Sequence, residues 1–203
     1  TQSYKKEIYD SRIFSANLWA QALSQNKHYV ETYLSASAIG IYGNNPHLNT
    51  TEAVPATGNF LAQVCKDWED AANKISDLGI RTGIVRVGVV LAKNGGFIEE
   101  VSKPIKMYVG AALGNGKQQT SWIHIDDLCR IFLHLITHKN LSGVYNGVAP
   151  NPETNLKLTQ ILAKQLHKPI LLPNAPAFVI KLLFGQMGTM LLGSQHVSAK
   201  KIM

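Results

Sequence analysis

Three hydroxyls fall within eight positions of one apolar run, YLSASAIGIYG at residues 33–43: Ser35, Ser37 and Tyr42. Serine and tyrosine hydroxyls donate and accept hydrogen bonds, and a tyrosine can pass a proton to a reacting oxygen or take one from it. A strand that only fills a core has little use for them. A strand whose C-terminal end faces a ligand does, because ligands of open α/β sheets bind at that end. Two readings of Ser35 and Ser37 stand side by side, contact with a cofactor or capping of the strand end. Tyr42 is either a proton donor or substrate contact, or a residue packed in a turn. Arg86, inside IRTGIVRVGVVLA, can meet a phosphate or be paired within the fold.

Other groups carry weaker signals. His124, Asp126 and Asp127 are close enough in sequence for a metal pair. HIDD reads better as a helix start in which Asp126 caps and His124 makes a buried hydrogen bond, so no metal site is expected. GNGK at 114–117 departs from a phosphate-binding P-loop, with Ala111 where the first glycine belongs and Gln118 in place of Ser or Thr. As a substrate loop it keeps its interest, since Lys117, Gln118 and Trp122 can hold a phosphate and stack a ring. Lys66 reads as a solvent-facing lysine.

The elements that must position these residues follow from periodicity. Residues 4–25 place Ile8, Ile13, Leu18, Trp19, Ala22 and Leu23 on one side of a helix that stops at Asn26. Residues 30–37 read as a strand, and a polar loop runs from Gly43 to Gly58. Asn59 caps a helix with apolar positions from Phe60 to Leu78 and Gly79 as its stop. IRTGIVRVGVVLA is then a single strand of the type buried on both faces. Helix, strand, helix, strand is the rhythm of a parallel sheet with crossover helices.

Beyond Gly95–Gly96 a short helix at 97–101, a strand TSWIHI, the helix DDLCRIFLHLITH, a strand VYNGVAP and a helix from Thr154 or Asn155 are expected. The apolar stretch 176–193 is interrupted by Lys181, Gln186 and three glycines, so its first half is read as a packed helix rather than a membrane span. Two units are expected: 1–94, part of a dinucleotide-binding domain, and 95–203, a smaller mixed region. A strand near 143–149 returns to the first.

With 45% hydrophobic and 16% charged residues, the chain can bury a sizeable core. Its formal charge of +7 is dispersed, with no basic stripe interleaved with aromatics, which points away from nucleic acid and suits a phosphorylated small molecule. Cys65 and Cys129 lie in helical apolar patterns without CxxC spacing, so two buried thiols in a reducing cytoplasm are expected. The start of the chain lacks the pattern of a signal peptide.

SASAIGIYG, FLAQVCKDWE, GNGKQQTSWIHIDDL and NGVAPNPETN occur in that order. Together they resemble the atypical, extended short-chain dehydrogenases/reductases, in the uncharacterised NAD-dependent epimerase/dehydratase-like branch. LLFGQMGTMLLGSQHVSAKKI is similar to the C-terminal domain of unknown function of that branch. The resemblance covers essentially the whole chain. It implies an α/β fold, the C-terminal part of a Rossmann-type doubly wound parallel sheet plus a small mixed α/β substrate-side region. It also implies NADP or NAD as cofactor and a small-molecule substrate, a nucleotide sugar among the candidates. A homodimer through helices 4–25 and 59–78 is implied as well. Carried over residue by residue, Ser37 and Tyr42 are the catalytic candidates. Ser35, Ala36, Arg86, Gly88 and Val89 are the cofactor contacts, and Lys117, Gln118 and Trp122 the substrate contacts.

Two features depart from the family pattern. Such proteins open with a strand, a glycine-rich turn and a helix that hold the pyrophosphate, yet no GxGxxG or GxxGxxG occurs here. The expectation is that about ninety residues of a longer relative, roughly three βα units, are missing and that the cofactor site is incomplete. The family's proton-transfer set is Ser–Tyr–Lys with Tyr and Lys four apart, and no tyrosine of this sequence has a lysine four residues on. Hydride transfer at a hydroxyl or carbonyl and cofactor binding without turnover are therefore both open.

Overall fold

The computed structural model describes residues 2–93 and 95–203; Thr1 and Asn94, the outer residues of the first expected unit, lie outside the described residues. Helix α1 (Gln2–Gln25) buries Ala16, Ala20 and Leu23, an i, i+4, i+7 stripe. Phe14, Leu18 and Trp19 stay 70%, 54% and 56% exposed. The expected apolar face through Leu18 and Trp19 is thus corrected: small side chains allow close approach to the following helix, and the large ones fall on the far side.

Strand β1 (Thr32–Ala38) leads into a 3-10 turn at Ile39–Tyr42 and Gly43, whose φ of 62° suits glycine. The expected loop to Gly58 contains a strand, β2 (Asn45–Thr50). Its parallel partner lies near the C-terminus, too distant for any local pattern to announce the pairing. Helix α2 (Phe60–Ser76) begins at Asn59, whose Oδ1 accepts from the Ala62 N–H at 2.9 Å.

The single strand expected next is two, β3 (Arg81–Val87) and β4 (Val89–Leu91). Gly88 divides them. A Cβ at that position would stand 2.6 Å from the Ser121 carbonyl oxygen and 2.8 Å from Val148 Cγ1, so only glycine lets the chain step between sheets here. Helix α3 (Gly96–Lys106) is twice the expected length and carries Pro104 within it. The TSWIHI strand is likewise divided, into β5 (Gln119–Thr120) and β6 (Trp122–His124), with β6 pairing parallel to β4.

Helix α4 (Ile125–Thr137) is capped by His124, whose Nδ1 accepts from the Asp126 N–H at 3.2 Å. Asp126 occupies the first turn instead, and His124 is exposed, which corrects both expectations for HIDD. Cys129 is also exposed, whereas Cys65 is buried. Then follow β7 (Gly143–Gly147), β8 (Glu153–Thr154) antiparallel to β5, and α5 (Asn155–Gln165), capped by the Thr154 hydroxyl. The last segment is α6 (Ala177–Phe184), α7 (Gln186–Leu191) and β9 (Gln195–Val197), the partner of β2. The expected packed helix there is corrected. Phe178, Leu182 and Leu183 are 71%, 81% and 69% exposed, and Ile180 alone on α6 is buried. Among the described residues no helix is long and apolar enough to cross a membrane.

The centre is a parallel sheet in the order β1-β3-β7. On one face Tyr33 packs with Ala20, Leu23, Ile75 and Ile80 beneath α1 and α2. On the other, Leu34, Val85, Val87 and Tyr145 pack against Leu128 and Leu135 of α4. Because side chains alternate along a strand, the register Ser37↔Arg86↔Asn146 puts three polar side chains in one row across all three strands, on the α2 face. Overfilling the strand switch tests its role: Gly88→Ala is expected to cost about 1–3 kcal/mol in urea unfolding, and an unchanged midpoint would refute the close approach.

Candidate functional site

The polar row lies one residue short of the C-terminal ends of β1 and β3, where α2 and the 3-10 turn add two more groups. Glu69 of α2 receives Arg86 through both carboxylate oxygens, Nε to Oε1 and Nη2 to Oε2, each at 2.8 Å. The Ser37 hydroxyl donates to the same Oε1 at 2.7 Å. Arg86 Nη1 donates to the Tyr42 oxygen at 2.8 Å and to the Glu52 carbonyl at 3.1 Å. Tyr42 in turn donates to Asn146 Oδ1 at 2.8 Å, and Asn146 Nδ2 donates to the Ser198 carbonyl at 3.0 Å. Ser37, Tyr42, Glu69, Arg86 and Asn146 are each at most 7% exposed.

Electrostatics follow from this packing. Burial alone would lower the Arg86 pKa, but the Glu69 carboxylate and the Tyr42 hydroxyl outweigh it and hold the guanidinium above its ordinary value. Burial pushes the Tyr42 phenol up, against the opposing pull of Arg86. Burial also raises the Cys65 thiol, which sits against Ser37 and the Ala38 backbone and stays protonated. Four of the five guanidinium N–H groups are held by protein acceptors. Of the two alternatives for Arg86, the structure displays pairing within the fold.

The other sequence-derived residues are placed separately. Ser35 is buried and its hydroxyl donates to the Ala36 carbonyl at 3.0 Å, while Ala36 itself lies on the opposite face of β1. Gly88 and Val89 have their N–H groups on the Gly147 and Ser121 carbonyls. Val89 stands opposite Trp122, whose indole N–H donates to the Asn151 carbonyl at 3.1 Å. Gln118 is buried with its amide on the Leu113 carbonyl. Lys117 is exposed on a loop shaped by Gly114, Gly116 and an Asn115 turn, with no carboxylate partner among the described residues.

Sequence reasoning missed Glu69, Asn146 and Glu52. A signal for Glu69 existed: it lies four residues after Cys65 and three before Ala72, on the apolar stripe of α2. An acid on an apolar stripe and a base in a buried strand each call for a partner.

Comparison with known proteins identifies the family. The NAD dependent epimerase/dehydratase family model matches residues 3–146, and that of a domain of unknown function, DUF1731, matches residues 175–203. The chain belongs to the NAD-dependent epimerase/dehydratase family. Among family members, an epimerase family protein of Staphylococcus epidermidis is 36% identical over all 203 residues, which cover 68% of that protein. The crystal structure of the human epimerase family protein SDR39U1 with NADPH superposes with a TM-score of 0.90. It is 28% identical and is matched over 100% of this chain and 68% of the human one. A nucleoside-diphosphate sugar epimerase from Corynebacterium glutamicum is 32% identical with a TM-score of 0.78, over 100% of this chain and 39% of the other.

Removing one partner of the buried pair leaves the other charge uncompensated, so Glu69→Ala is expected to lose about 3–5 kcal/mol of stability in chemical denaturation. A loss below about 1 kcal/mol, the range of exposed pairs, would show that the pair is solvated. The raised Tyr42 pKa has a definite sign. Its folded value lies above the unfolded value near 10, so the contribution is whole below about pH 10 and is lost as pH rises through the folded pKa. Tyr42→Phe is therefore expected to unfold less steeply with alkaline pH than the unaltered chain. Parallel pH profiles would remove Tyr42 from the linkage.

Proposed function

We propose that this chain is part of an NADP(H)-binding protein of the epimerase family in which Ser37, Tyr42 and Arg86 frame the strand ends and do not move protons. The observation that carries this reading is the commitment of both hydroxyl protons, Ser37 to Glu69 and Tyr42 to Asn146, in side chains that this chain itself buries. The NADPH in the human relative's structure supports the choice of cofactor. On this reading the cofactor runs past the ends of β1 and β3, beside Ser35, Ala36, Gly88 and Val89. The unit formed by residues 1–94 and the strand near 143–149 carries it. The region 95–203 presents Lys117, Gln118 and Trp122 to a phosphorylated small molecule. Two unpaired thiols suit a reducing compartment such as the cytoplasm.

A second reading, hydride transfer on a nucleotide sugar, is favoured by the Corynebacterium glutamicum relative. It requires the proton to move through a group other than Tyr42 in its observed hydrogen bonds. A homodimer through α1 and α2 accompanies either reading. It is supported by exposed Phe14 and Trp19 and by a surface hollow of about 430 Å³ lined by Tyr9, Ile13 and Phe14.

NADPH fluorescence titration separates these readings. The chain lacks a glycine-rich phosphate turn, so weak binding is expected, with Kd above roughly 100 µM. A version extended at its N-terminus with a strand, glycine turn and helix is expected to bind at least about tenfold tighter, through the added anion site. Equal affinities, or no binding by either, would overturn the cofactor assignment. With UDP-glucose and NADP+ supplied instead, hydride transfer from the sugar would appear as NADPH formed; none is expected, and NADPH formation abolished by Tyr42→Phe would replace framing by catalysis.

A further inference from the structure

Strand β7 is the outer strand of the central sheet, with β3 on its inner side. Among the described residues no strand pairs with its outer side, yet the outward Asn146 N–H and Val144 carbonyl are both occupied. The Asn146 N–H donates to Glu52 Oε1 at 2.8 Å, and the Lys201 ammonium donates to the Val144 carbonyl at 2.6 Å. An adjoining strand would present a C=O to the first and an N–H to the second. Here an acid from the segment after β2 and a base from the C-terminal segment take those places.

Both residues are themselves anchored. The Glu52 carbonyl accepts from Arg86 Nη1, which ties this segment to the buried network. Lys201 lies over the Tyr145 ring with its ammonium 4.5 Å from the centroid. Glu52, Val144, Lys200 and Lys201 line a hollow of about 700 Å³ at the same edge.

The donor at 146 and the acceptor at 144 form a self-complementary pair. Turned about a two-fold axis through residue 145, a second β7 would place its own N–H of 146 on the first carbonyl of 144, and the converse. Those two bonds bracket residue 145 facing its own copy, a non-hydrogen-bonded pair of an antiparallel ladder, and the contact is isologous. Unprotected edges of this kind template such pairing, and lysines and inward-turned charges are the usual guards.

We propose that Glu52 and Lys201 are a side-chain clip that closes the β7 edge against pairing with β7 of a second copy of this chain. The clip works by occupying the two hydrogen-bonding positions and by covering them with charged groups that a second copy must displace. It is independent of cofactor binding. It also differs from any contact through α1 and α2, so pairing through β7 adds to whatever assembly the unaltered chain forms.

The test is the double variant Glu52→Ala/Lys201→Ala, followed by light scattering across a concentration series with circular dichroism as the check on folding. The expected result is a twofold rise in mass over the unaltered chain that grows with concentration. Glu52→Gln/Lys201→Arg, which keeps one acceptor and one donor, is expected to stay at the original mass. A folded double-alanine variant with unchanged mass at every concentration would overturn the clip. Should that variant unfold, Glu52→Ala alone is read by hydrogen exchange at Asn146. Exchange is expected to speed up on the order of tenfold when dilute, from loss of one hydrogen bond to a charged group, and to slow again as concentration rises. Exchange that shows no dependence on concentration would equally overturn it.

Discussion

The ion pair between Glu69 and Arg86 is the constraint around which the rest of this structure is arranged. Two charges withdrawn from water carry a desolvation cost that only close geometry and further hydrogen bonds offset. Here the carboxylate accepts three such bonds and the guanidinium donates four, and among the described residues no buried side-chain polar atom lacks a partner. Because those partners come from β1, α2, β3, the 3-10 turn and the segment after β2, the pair aligns five stretches of chain at once. Asn146 extends the same network to β7 and, through the Ser198 carbonyl, to the C-terminal segment. A change in any member is therefore felt across the sheet end, since coupled neighbours do not behave additively.

That arrangement alters how the hydroxyl cluster is understood. Ser37 and Tyr42 stand where ligands approach in open α/β sheets, but their protons are turned inward to a carboxylate and an amide oxygen. In this arrangement both hydroxyls tie strand ends to the buried ion pair and to Asn146. The fold alone does not decide how such hydroxyls are used, because function resides in the orientation of particular groups.

The second organising feature is steric. Gly88 lets β3 stop and β4 begin beside Ser121, which places β6, the Ser121 carbonyl and Ala149 in register next to the central sheet. Around this junction the chain closes itself with distant pairings. β2 takes β9, Gln195 bonds the Ile39 and Gly43 carbonyls, and Glu52 with Lys201 occupies the outer edge of β7. The C-terminal segment therefore belongs to the architecture of the sheet end, although its helices α6 and α7 leave most of their apolar side chains exposed.

Local chemistry determined much of this from sequence alone. The Asn59 cap, a helix start at Thr154 or Asn155, strands within 30–37, 80–92 and 143–149, the crossover helices and the family membership all rest on short-range periodicity or contiguous motifs. Such signals act within one or two turns of chain. What the tertiary structure decided rests on long-range partners. Glu69 found Arg86 across 17 residues and Tyr42 found Asn146 across 104. β2 was a loop until β9 paired with it, and α1 buried its alanines because only they allowed close packing. A hydroxyl's type is written in the sequence, but the direction of its proton is set by the acceptor that folding brings within 3 Å. At Ser37 and Tyr42 those acceptors are Glu69 and Asn146.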